Sequence, residues 1–291
     1  MIVITAPTGQ IGRQVLRSLL DSDRPVRVIA RTPSRLTERT RARAEIVEGS
    51  HSDPAVLDRA LDGADSLLWL VPPNPGAADI HDHYLDFTRP ATDALKARGV
   101  ERVVGVTSLG RSYGKHAGLL SPAFAMDAMI ESTGVDYRAL AMPFFMENLL
   151  HQVEAIRTQG MFFLANTADR PLATVATRDI AAAATDLLLD TAWSGQSTVP
   201  VIGDTLSPDA MAQILTETLD RPVRFQQVDE QAYKETMLRY GSSDAWAQGL
   251  IDMATAQNDG IYDAEQQALA TPAPTDFHQW CQEVLKPSVP A

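Results

Sequence analysis

Cysteine is almost absent from this 291-residue chain, with Cys281 standing alone. A single thiol cannot close an intrachain disulfide, and it excludes a thiolate-ligated metal cluster. No stretch approaches the ~18–20 uninterrupted apolar residues of a membrane-spanning helix. The opening Met1-Ile2-Val3-Ile4-Thr5 has no basic region and too short an apolar run for a secretory signal. Basic residues are also scarce, with 25 Lys and Arg against 37 Asp and Glu, a formal charge of −12. A surface this acidic repels polyphosphate, so nucleic acid is not an expected partner. The locally basic stretch Arg35–Arg43 reads better as a solvated helix than as a binding patch. Internal repeats and low-complexity tracts are missing as well. What remains is 45% hydrophobic and 21% charged, an ordinary globular composition. The expectation is a soluble cytoplasmic protein with no membrane and no nucleic-acid partner, large enough to fold without staples.

The first 140 residues alternate short apolar runs with amphipathic stretches, as βαβ units around a parallel sheet do. The runs are Ile2–Thr5, Val26–Ala30, Glu45–Val47, Ser66–Val71, Arg102–Val106 and Val135–Leu140. Most are β-branched or leucine-rich without polar alternation, which predicts strands covered on both faces. Between them, Gln10–Leu20 carries apolar residues at helical spacing. Pro54–Leu61 follows the N-cap Asp53, and Asp79–Arg98 stops at Gly99. Beyond Pro143 the rhythm changes. The pattern predicts a helix over Glu147–Gln159, strands at Met161–Leu164 and Leu172–Val175, and a helix at Thr177–Leu189. A strand at Thr198–Ile202, a helix from Ser207 to Leu219 and a strand at Val223–Gln226 follow, with helices after Asp229. The expected fold is α/β: a doubly wound parallel sheet over residues 1–145, with 170–190 packing back on it. Residues 146–291 are expected to form a smaller α/β substrate region.

The strongest motif is Thr5-Ala6-Pro7-Thr8-Gly9-Gln10-Ile11-Gly12, directly between the first strand and first helix. Gly9 lets the backbone approach a pyrophosphate, and Gly12 lets the helix pack on the strand. The phosphates would rest on N–H groups at the helix N-terminus. An ordinary tight turn is the alternative reading. At the end of the second strand stands Arg31, with Arg35 one turn later, where an acidic residue would bind the ribose 2′-hydroxyl of NAD. A guanidinium there suits a 2′-phosphate, which predicts NADP(H), with NAD(H) as the alternative.

These residues, together with five further segments, resemble the NmrA-like group of atypical short-chain dehydrogenases. The segments are Glu48-Gly49-Ser50-His51-Ser52-Asp53, Gly99–Val104, Thr107-Ser108, Pro143-Phe144-Phe145-Met146-Glu147-Asn148-Leu149 and Thr177-Arg178-Asp179-Ile180-Ala181. The likeness covers about the first 230 residues. It implies a Rossmann-type core and NADPH-linked reduction of a quinone or polycyclic aromatic acceptor. Cofactor contacts implied by it fall on Thr8, Gly9, Gln10, Ile11 and Gly12, then on Arg31, Arg35, Ser50 and His51. Further along the strand ends they fall on Val71, Pro72, Thr107, Pro143 and Phe144. A substrate pocket is expected from Tyr113, Phe144, Phe145, Met146 and Asn148.

The sequence also departs from the family. Ala6 replaces the first glycine, and Pro7 removes an N–H donor from the loop. The Tyr and Lys that typical short-chain dehydrogenases carry four residues apart on the helix after the fifth strand are missing around Pro122–Ser132, as they often are in the NmrA-like group. That removes the obvious proton donor and leaves Thr107, Tyr113 and Asp127 as candidates. Asp127 would serve only if buried, and an exposed helix acid is the alternative. His81-Asp82-His83 does not converge on a metal, because helix positions i and i+2 point ~200° apart, so no metal site is predicted. A quinone accepts hydride without needing a side-chain acid, which suits the missing pair. Related readings are a tailoring oxidoreductase or monooxygenase acting on an aromatic polyketide-like substrate, isomerase or lyase chemistry, and a non-catalytic NAD(P) sensor. A homodimer is left open.

Overall fold

The computed structural model describes residues 1–268 and 271–289. Strands β1 (Ile2–Ile4), β2 (Val26–Ala30), β3 (Glu45–Glu48), β4 (Ser66–Trp69), β5 (Arg102–Ser108) and β6 (Asp136–Met142) follow the expected apolar runs. Helices α1 (Gln10–Leu19), α2 (Glu38–Arg43), α3 (Pro54–Leu61), α4 (Ile80–Arg98) and α5 (Ser121–Glu131) connect them. The caps are those the residues dictate. The Asp53 carboxylate accepts from Ala55 and Val56 N–H, Asp79 accepts from Asp82, and Gly99 ends α4 in the left-handed conformation.

After β6 come β7 (Phe144–Phe145), α6 (Val153–Gln159), β8 (Met161–Leu164), β9 (Leu172–Val175) and α7 (Thr177–Leu189). Then follow β10 (Gln196–Pro200), β11 (Thr205–Leu206), α8 (Pro208–Leu219), β12 (Arg224–Gln227), α9 (Glu230–Arg239), α10 (Asp244–Asn258), α11 (Asp263–Ala268) and α12 (Phe277–Trp280). The helix expected from Glu147 opens as a 3₁₀ stretch over Met146–Gln152 and becomes α-helical only at Val153.

Seven parallel strands form the main sheet in the order β3-β2-β1-β4-β5-β6-β10. The strand order therefore reverses between β1 and β4, with every strand still parallel, and a crevice opens outside their carboxyl ends. β10 corrects the sequence reading: that strand begins at Gln196, pairs with β6 and belongs to the large sheet. α7 packs against α1 on one face, while α3, α4 and α5 cover the other. β11, β9 and β7 form a second small sheet, and β12 pairs with β8. Around them lies a separate apolar core that includes Met146, Phe162, Phe277 and Trp280. Among the described residues, no helix is long and apolar enough to cross a membrane.

Candidate functional site

The β1–α1 turn is anchored before it bends. The Thr5 hydroxyl donates to the Leu68 carbonyl at 2.7 Å and accepts from the Leu70 N–H at 3.2 Å, which ties the loop to β4. Ala6 then takes φ +47°, a left-handed conformation that glycine adopts freely and alanine adopts at a cost. Its carbonyl folds inward, where a Cβ at Gly12 would collide with it. The Gly9 N–H donates to that same carbonyl at 3.0 Å. Gly9 is thereby removed as a donor from the expected phosphate cradle. The first N–H groups of α1, at Gln10 and Ile11, stay outside the helix's own ladder and carry the positive end of its dipole.

In front of this turn lies a cleft of about 460 Å³. It is lined by the loop residues Ala6, Pro7, Thr8 and Gly9, by Ile29–Thr32 and Arg35 at the end of β2, and by Gly49, His51 and Pro72. Arg31 and Arg35 are exposed, and neither has an ion-pair partner among the described residues. His51 is buried at the cleft wall. Its Nε2 donates to the Leu70 carbonyl at 2.9 Å, and its ring meets Trp69 and Phe87 edge-on. Burial lowers its pKa to about 4, outweighing that hydrogen bond, and the nearby Arg31 charge pushes the same way. The imidazole is neutral, with Nδ1 left as an acceptor. Ser50 bonds Ser52 across a turn, and Val71 lies buried behind Pro72. Ile29, Ala30, Thr32 and Gly49 also line the cleft and were not among the expected cofactor contacts.

Two strands along, Trp69 of β4 lies opposite Gly105 of β5. Thr107 follows two residues later, near the carboxyl end of β5, and is 8% exposed. Its hydroxyl donates to Asp127 Oδ2 at 2.7 Å, and the Tyr137 hydroxyl donates to Asp127 Oδ1 at 2.6 Å. Asp127 is 1% exposed, so the alternative of an exposed helix acid is overturned. Burial raises its pKa to about 6 against the opposing pull of both hydroxyls and of Arg111. Tyr137 reaches it only because β5 carries glycine at 105, where a Cβ would occupy the position of the phenol oxygen.

Residues 1–280, from β1 through α12, match the NmrA-like family. The chain belongs to that family. It is 28% identical over 287 residues to a (4-alkanoyl-5-oxo-2,5-dihydrofuran-3-yl)methyl phosphate reductase of Streptomyces griseus, covering 97% of each chain. It is 25% identical over 280 residues to an NAD(P)H azoreductase of Xenophilus azovorans, covering 94% of this chain and 95% of that one. The crystal structure of an NADPH-dependent quinone oxidoreductase of Escherichia coli, complexed with NADPH, superposes with a TM-score of 0.78. That match, at 24% identity over 99% of this chain and 98% of the other, establishes the shared fold.

Within this NmrA-like frame, the segment from Pro143 to Leu149 divides its side chains between layers. Phe144 and Phe145 are both half-buried, but Phe144 packs on the core around the small sheets and Phe145 on that of the main sheet. They cannot wall one pocket together, because neighbouring strand residues face opposite ways. Met146 is fully buried in the core, which removes it from the expected pocket, and Asn148 is exposed. Glu147 is a brace that sequence reasoning missed. It accepts from the Thr177 N–H and hydroxyl and, at 3.3 Å, from the Trp280 indole. Asp179 likewise accepts from the N–H and hydroxyl of Thr275. Tyr113 lies in the loop after β5 and donates to Asp259 at 3.1 Å. Partial burial, and then that carboxylate, raise its pKa, which weakens it as an acid. His83 bonds the Pro72 carbonyl, while the exposed His81 faces Asp79 and Asp82.

Proposed function

We propose that the protein is an NADPH-dependent reductase that delivers hydride to a flat, conjugated acceptor. The observation that carries this reading is the cleft in front of α1, with two unpaired guanidinia at one end. From Arg31 at the end of β2 to Thr107 at the end of β5, the sheet crosses three strand spacings, ~14 Å in all. That span suits an extended dinucleotide lying across the β1–β4 reversal. The residues present fit the group. Arg31 and Arg35 would hold the 2′-phosphate, and the N–H groups of Thr8, Gln10 and Ile11 the pyrophosphate. Gly12 keeps the loop folded against α1, and Pro72 and neutral His51 border the adenosine side. When bound, NADPH supplies a hydride. The chain's own part is to place the acceptor near Thr107 and Phe144, since positioning carries much of the rate in such transfers. The named relatives are reductases of a quinone, azo compounds and an unsaturated lactone phosphate, which supports a conjugated acceptor over an isolated ketone or aldehyde.

The test is calorimetric titration with NADPH and NADH, followed by NADPH consumption with menadione, an azo dye and an unsaturated lactone. The expected result is NADPH at least ~10-fold tighter than NADH and turnover of at least one acceptor. Tight NADPH binding without consumption by any of the three would make the protein a sensor. Tighter NADH would overturn the role given to Arg31 and Arg35.

A further inference from the structure

We propose that Asp127 and Thr107 form a built-in proton source, so that the site serves conjugated carbonyl acceptors that must be protonated as hydride arrives, and not only quinones. This rests on the reading of the protein as an NADPH-dependent reductase.

A carboxyl sealed from water is costly to keep ionised, and among the described residues this one has no cation within hydrogen-bonding distance. Its two oxygens meet only hydroxyls. Tyr137, fully buried, is a fixed donor to Oδ1, and burial with the adjacent carboxyl drives its own pKa well up. Tyr137 thus holds Asp127 in place and does not compete as an acid. Thr107 on the other oxygen is the one of the two hydroxyls that stands at the carboxyl end of its strand, and at 8% exposure it keeps a narrow face to solvent. With Asp127 ionised, Thr107 donates inward. With Asp127 protonated, the carboxyl O–H donates to Thr107 Oγ1, and the threonine hydrogen turns outward to an acceptor oxygen. Protonation therefore reverses the whole relay.

The step balances. Hydride from NADPH forms a C–H bond at the acceptor's β-carbon, and the π electrons move to its carbonyl oxygen. The Thr107 hydroxyl proton passes to that oxygen, and the Asp127 proton passes to Thr107 Oγ1. NADPH is oxidised, the acceptor gains two electrons, and Asp127 is left ionised. Solvent returns a proton through Thr107 after product leaves. A quinone needs none of this, because its reduced oxygen is stabilised by the new aromatic ring.

The charged groups around Asp127 leave it protonated in weak acid, to about two pH units above an ordinary aspartate. Arg111 after β5 favours ionisation, but it is held at 2.6 Å by Glu131 on α5, which opposes it. α4, packed along α5, buries only uncharged residues there, with the half-buried Tyr84 its nearest phenol to that core. The resulting pKa is about 6.

The test compares hydride transfer to 2-cyclohexenone and to menadione in wild type, Asp127→Asn, Thr107→Val and Thr107→Ser. Asp127→Asn and Thr107→Val are expected to lower the enone-to-menadione rate ratio by at least ~10²-fold, in the range of a general acid. Thr107→Ser is expected to keep the ratio within ~3-fold of wild type. The wild-type enone rate should fall as pH rises past about 6. Independently of turnover, the infrared band of a protonated carboxyl should disappear from wild type over that pH range and be missing in Asp127→Asn. An unchanged ratio, or parallel loss on both acceptors, would make the cluster merely structural and overturn the proposal. So would a wild type that reduces menadione but not the enone, or a carboxyl band that titrates near pH 4 as an ordinary aspartate does. Failure to oxidise NADPH with either acceptor would instead remove the reductase reading itself.

Discussion

At the Arg31 end of the sheet edge the charged groups stand in solvent, whereas at the Thr107 end the carboxyl is sealed beneath a threonine. The two arrangements suit different tasks. An exposed guanidinium stays charged at any ordinary pH and recognises a phosphate without any cost of burial. In the proposed reading, two arginines and a row of N–H groups would share the load of holding the phosphates. The buried carboxyl is a group whose charge state its surroundings decide. His51 shows that the recognition end has a buried titratable group too, held neutral with its donor fixed on Leu70. On the proposed reading, recognition would be spread over several exposed contacts and proton chemistry concentrated in one buried cluster.

The largest expected effect tests the recognition end. Gly12→Val would drive the Ala6 carbonyl out of the turn and should weaken NADPH at least ~100-fold, about 2.8 kcal/mol, by calorimetry. A loss below ~10-fold would mean the loop does not seat the pyrophosphate.

Next comes a comparison of the two buried groups by pH. Asp127 titrates higher in the fold than in the open chain, from 3.8 to about 6. Its contribution to stability is complete below pH ~4 and is lost as pH rises through 6. His51 is displaced the other way, from 6.5 to about 4. Its contribution is complete above pH ~6.5 and is lost as pH falls through 4. Relative to wild type, urea unfolding should show Asp127→Asn gaining about 3 kcal/mol between pH 4 and 7. His51→Gln should lose a similar amount over the same range. Parallel pH curves for variant and wild type would dissolve the contrast between the two ends.

Arg31→Ala should weaken NADPH ~10–150-fold, from roughly 1.5–3 kcal/mol for a charge-assisted contact, with NADH little changed. Equal losses for both nucleotides would place the 2′-phosphate elsewhere. The smallest effect is Ala6→Gly. Relief of the left-handed alanine, partly offset by glycine's freedom in the unfolded chain, should add about 0.5–1 kcal/mol to stability in urea. A loss of stability would mean the methyl group packs more usefully than its φ angle suggests.

The two ends were also unequally legible in the amino-acid sequence. Alternating apolar runs and glycine stops were enough for β1 to β6 and the helices between them, because each unit declares itself locally. The glycine turn after β1 and the place of Arg31 at the end of β2, which line one cleft, were readable for the same reason. Whether Asp127 was exposed was not, since its burial depends on Thr107, Tyr137 and the gap at Gly105, all distant in sequence. Likewise β10 carries Gln196, Ser197 and Thr198, which are exposed at the sheet's edge and give no apolar run to announce it. Glu147 looked like one more letter of a motif until Thr177 and Trp280 came to rest on it.

That last contact joins residues 133 positions apart, and synthesis from the N-terminus gives it a consequence in time. At ~5–20 residues per second, Trp280 emerges roughly 7–27 s after Glu147. Throughout that interval the segment after β6 carries a carboxylate whose indole donor has not yet been made. The nascent chain therefore has a waiting period in which the core around the small sheets lacks Phe277 and Trp280, and chaperone capture or proteolytic nicking near residue 147 would fall within it.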